Sequence, residues 1–172
     1  QDADEWEVLL QARWADLRMI HSALLQKEDP VSFETVMHAM AKLEQKKLAF
    51  IQDDELRAWK EIAAHRVEDI QCIKAAIKPK DVQASLILAA GDACLRSNWL
   101  AEKSQWWEKL NVRVDEVKMI QSAVADENVY IQSIDDAQQA LKQALHYLEE
   151  APRWKQTVTE RLDDIALVRA AV

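Results

Sequence analysis

"RWADLRMIHSAL", residues 13–24, is written four times in this chain: again as "RVEDIQCIKAAI" at 66–77, "RVDEVKMIQSAV" at 113–124 and "RLDDIALVRAAV" at 161–172. Each copy opens on an arginine, and a tryptophan stands seven residues before each of them: Trp6, Trp59, Trp106 and Trp154, at spacings of 53, 47 and 48 residues. Counted from that Trp as zero, position 10 is always acidic (Asp16, Asp69, Glu116, Asp164) and position 14 is Ile20, Ile73, Ile120 or Val168. Position 17 is always alanine (Ala23, Ala76, Ala123, Ala171). Repetition at this period marks stacked supersecondary units, each too small to bury its own apolar face.

At about 100° per residue, positions 0, 4, 8, 11, 14 and 18 form one stripe about 120° wide, the width of a helix face that meets a core. The arginine at position 7 falls inside that stripe, and the acid at position 10 lies at its edge. A guanidinium taken out of water needs compensation, because an uncompensated buried charge is costly. The expectation is a structural ladder of Arg13 with Asp16, Arg66 with Asp69, Arg113 with Glu116 and Arg161 with Asp164, running within or between copies. Stacking of each guanidinium on a tryptophan face is a further option. The competing reading is that each arginine covers apolar surface with its stem while its head reaches water.

Between the copies lie alanine-rich segments with periodic leucine, at about 31–51, 82–101 and 129–148. Each follows a polar break with a candidate N-cap: Asp29 before Pro30, Asp81 and Asn128. These read as the partner helices of hairpins, about 20 residues each. New starts at Asp53 or Asp54, at Ser104 and at Pro152 break the chain into seven helices instead of a few very long ones. The predicted fold is all-α: tandem helical hairpins with a unit of about 48 residues, arranged as a solenoid-like array or a compact helical bundle. It is expected to form one repeat domain over 1–172, with units about 1–52, 53–103 and 104–150 and a final helix 151–172. Position 1 is Gln, so a processed chain or a piece of a longer array is expected.

Composition narrows the function. Hydrophobic residues make up 49% and charged residues 30%, which excludes disorder. One glycine and three prolines are too few for the turns of a β-rich fold. The net charge of −8 argues against nucleic acid, whose binding is dominated by phosphate neutralisation, and basic spots such as Lys46-Lys47 are small. Membrane insertion is not expected, since no apolar run approaches bilayer length. Cys72 and Cys94 form no ligand or disulfide pattern, which favours a reducing, cytoplasmic setting.

No constellation of catalytic or metal-ligating residues emerges. His21, His38, His65 and His146 are scattered, and Glu61 with His65 is one isolated i,i+4 pair. Nucleophile elbows and phosphate loops need glycine, and Gly91 is alone in a helical stretch. No catalytic residue, cofactor or metal is expected. Trp14 takes a place held by Val67, Val114 and Leu162, and is expected in the core. Trp107 takes a place held by Glu7, Lys60 and Lys155, so an exposed indole is expected there. With Trp99, two turns ahead of Trp106, it forms a candidate partner-binding patch. The expected function is a non-catalytic helical repeat scaffold for protein–protein interaction or spacing. The alternative is a compact helical-bundle adaptor or chaperone-like regulator of one partner protein.

Overall fold

The computed structural model describes residues 2–25, 29–44, 52–125 and 130–171. Among them the chain is all-α: α1 (Asp2–Leu25), α2 (Phe33–Leu43), α3 (Asp53–Ala76), α4 (Ala84–Arg96), α5 (Lys103–Ala125), α6 (Ile131–Ala144) and α7 (Ala151–Ala171). The odd-numbered helices carry the Trp–Arg copies and the even-numbered ones are their partners. Lys46, Lys47, Asn128 and Val172, named above, lie outside the described residues.

The partner helices are shorter than their periodicity predicts, at 11, 13 and 14 residues. Their predicted ends at 101 and 148 are in fact two short non-helical segments, Ser97–Leu100 and Leu145–Glu150, which run into α5 and α7. Apolar periodicity continues through them because Leu100 and Leu148 are still core residues. Backbone bonding to another part of the chain, described below, replaces the helical ladder.

The helix starts also differ from the predicted caps. Ser32, not Asp29, caps α2, and its hydroxyl accepts from the Thr35 amide at 3.2 Å. Asp81 adopts a left-handed backbone at φ 55°, which Asp tolerates better than most residues. It turns the chain after α3, and α4 begins only at Ala84. Pro152 falls in the first turn of α7, where a missing amide costs nothing.

Contacts divide the chain into two compact units. The first holds Gln1–Gln71 with Ser97–Lys103: α1, α2, most of α3 and the segment after α4. Its core is built from Ile20, Ala23 and Leu24 of α1, Val36, Ala39 and Leu43 of α2, and Trp59, Ala63 and Ile70 of α3. The second holds Cys72–Arg96 and Ser104–Val172: the end of α3 with α4 to α7. Here Ile87, Ala90 and Cys94 of α4 pack with Trp106, Leu110, Val117 and Ile120 of α5, Ile134 and Leu141 of α6, and Val158 of α7. A Cβ on Gly91 would stand 3.0 Å from Val114 Cγ2, so the one glycine lets α4 close on α5. Side chains buried in this way contribute about 1.5–3 kcal/mol each, which far exceeds helix propensity as a source of order.

Candidate functional site

Each Trp helix carries its arginine to the carbonyl end of the Trp helix before it. In the first unit Arg66 Nη1 donates to the Ala23 carbonyl of α1. In the second, Arg113 Nη1 donates to Ala76 O at 2.6 Å and Lys78 O at 2.7 Å, and Arg161 Nη2 donates to Val124 O at 3.2 Å. The acceptors occupy repeat positions 17 to 19. The last carbonyls of a helix have no partner within it and carry the negative end of its dipole, so a cation placed there satisfies both needs.

An aromatic ring completes each of the first two junctions. Arg66 Cζ lies 4.5 Å from the Trp99 ring centroid, and Arg113 Cζ lies 4.3 Å from that of Tyr147. These rings sit in two segments of matching sequence, Trp99-Leu100-Ala101-Glu102 and Tyr147-Leu148-Glu149-Glu150. Each segment forms one parallel bridge to a buried valine. Val31 N donates to Trp99 O at 2.7 Å while Ala101 N donates to Val31 O at 3.0 Å. Likewise Val82 N donates to Tyr147 O at 2.9 Å, and Glu149 N donates to Val82 O at 3.1 Å. The closing acid of each segment then serves a helix start: Glu102 Oε2 accepts from Phe33 N at 3.2 Å, and the Glu150 carboxylate accepts from Ala84 N at 3.1 and 3.2 Å. Negative charge at a helix N-terminus is favourable for the reason that positive charge is at its other end.

The position-10 acids turn to the same segments or to the partner helix. Asp69 Oδ2 accepts from the hydroxyl of fully buried Ser97 at 3.4 Å. Glu116 accepts the Tyr147 phenol, and Asp16 pairs with Lys42 of α2 at 3.0 Å. Asp164 is exposed. The arginines are therefore held by carbonyls and rings, and the acid three residues on fixes the ring or the neighbouring helix. Glu116 still acts electrostatically on Arg113 and raises its pKa, while burial lowers the pKa of both Arg66 and Arg113. Tyr147 is pushed well above the ordinary phenol range, first by burial and then by its bond to Glu116, so it remains a donor.

The tryptophans depart from expectation. Trp14 is 58% exposed and carries Arg18 over its ring at 5.3 Å. It is not a core residue, because the first half of α1 has no helix laid against it among the described residues. Trp99 is half-buried beneath Arg66, and Trp107 is half-buried, unlike the exposed Glu7, Lys60 and Lys155. Trp14, Leu17, Arg18, His21, Glu55 and Trp59 line a groove of about 450 Å³ in the first unit. Sequence reasoning missed the bridging segments. Their signal was an aromatic–Leu–x–Glu run beginning seven residues before both Trp106 and Trp154.

No group of three or more metal-ligating side chains occurs among the described residues. No helix there is long and apolar enough to cross a membrane. Set against protein-family models, curated proteins and solved structures, the chain finds no match.

Proposed function

We infer that this chain is a non-catalytic helical repeat scaffold that binds a protein partner. The observation that carries this reading is the junction between Trp helices. Arginine, acid, aromatic and helix end recur in the same roles, so the most chemically capable side chains serve to hold one helix on the next. Modules that dock through equivalent surfaces suit extended protein-binding work.

The partner-binding face is the head of α1. Trp6 is 64% exposed, Leu10 63% and Trp14 58%, and the groove beside Trp14 is open. Clustered exposed indoles and leucines are the composition of interface hot spots, and a patch of this kind on a folded domain marks an interaction surface.

A photo-crosslinker at Leu9, which is half exposed, tests the reading in a native lysate. A discrete protein adduct is expected, lost when Leu10 and Trp14 are both changed to serine. No adduct, or one indifferent to that double substitution, contradicts it.

A further inference from the structure

We propose that the head of α1 and the tail of α7 are the two halves of one more Trp-helix junction, and that a second copy of this chain supplies the missing half of each. The proposal deepens the scaffold reading by naming a partner.

The internal junctions define what such a contact looks like. The head of the later helix, from its Trp to its Arg, lies along the tail of the earlier one. Trp59 shares a groove with Leu17 and His21 of α1, and Arg66 reaches Ala23. Lys74 Nζ lies 6.0 Å from the Trp106 ring, and Arg113 reaches Ala76. Where both halves are present, the stripe is dry. Trp59 and Trp106 are 9% and 7% exposed, and Ile20, Ile73 and Ile120 are each 0% exposed.

Only one head and one tail are left open. At position 0 Trp6 is 64% exposed, and at position 4 Leu10 is 63% exposed against 0% for Ala63 and Leu110 and 1% for Val158. At the other end, Val168 is 66% exposed at position 14 and Leu167 beside it 70%. The open head lacks a tail, and the open tail lacks a head. They are chemically matched as well. Arg169 occupies position 15, where Lys74 lies over Trp106, so it is placed to stack on Trp6 of the next copy. Arg13 of that copy then meets the carbonyl end of α7, as Arg66 meets that of α1. Because the two surfaces differ, the contact is heterologous and runs head to tail.

Sedimentation velocity of the 172-residue chain across a hundredfold concentration range tests this. The unmodified chain is expected to pass from monomer to dimer and larger species. Trp6→Asp removes only the head and Val168→Asp only the tail. Both residues are exposed, so melting curves are expected to match the parent, and each variant alone is expected to remain monomeric. An equimolar mixture of the two still holds one intact head and one intact tail, and it is expected to form dimers that grow no further. A parent chain that stays monomeric throughout, a Val168→Asp chain that still associates, or a mixture that stays monomeric overturns the proposal. None of these outcomes touches capture of a different protein at Leu9, so the scaffold reading stands or falls separately.

Discussion

The arginine at position 7 is the residue on which the fold turns, and its partners follow from what a helix leaves unsatisfied. A guanidinium has five donors and no acceptor. The carbonyl end of a helix has acceptors and no donors, and the two meet at Ala23, at Ala76 with Lys78, and at Val124. Tyr147 shows how closely the surroundings are tuned, since it gives its face to Arg113 and its hydroxyl to Glu116. Tyr147→Phe keeps the ring and loses the phenol bond to a carboxylate. A stability loss of about 1.5–3 kcal/mol is expected in urea unfolding. The same residue sets a pH dependence. Its pKa is higher folded than unfolded, so its contribution is complete below the ordinary phenol value of about 10 and declines as pH rises past it. The difference in stability between parent and Tyr147→Phe is therefore expected to shrink above about pH 10, measured by denaturant titration at stepped pH.

At the scale of the element, most of the secondary structure was legible because amphipathic periodicity and helix breaks are local signals. All of α1, α3, α5 and α7 could be placed from the Trp-to-Ala pattern. The ends of the partner helices could not. Trp99 and Tyr147 leave the helical ladder for a bond to a distant valine, and Glu102 and Glu150 cap helix starts 69 and 66 residues away. A tertiary bond of that reach has no local signature. The acids were likewise visible, but their partners were not. The reach from position 10 to position 7 within a helix suggested an ion pair, whereas packing brought Ser97 and Tyr147 to Asp69 and Glu116. Two expectations belong here. Glu150→Ala removes the cap of α4 and is expected to cost about 1 kcal/mol, seen as faster amide exchange in the first turn of α4. Gly91→Val places two methyls where a single Cβ already meets Val114 at 3.0 Å. It is expected to lower stability by about 1–3 kcal/mol in thermal or urea unfolding.

Across the whole molecule, one junction design recurs between successive Trp helices, and the same design accounts for both burial and exposure. Middle copies are covered on head and tail. The first copy keeps an open head and the last an open tail, which is why the same sequence position is dry at Ile73 and wet at Val168. Reading the repeat was enough to expect a scaffold, while the choice of α1 as its contact face required coordinates, because exposure depends on neighbours and not on residue type. The account rests on arginine acting as a donor to a helix end and not as an apolar stem reaching for water. Arg113→Met separates the two, since it keeps the stem and deletes the donors at Ala76 and Lys78. Urea unfolding of this variant is expected to show a loss of about 2–3 kcal/mol. A loss below about 0.5 kcal/mol, the range of an ordinary surface substitution, would contradict the account.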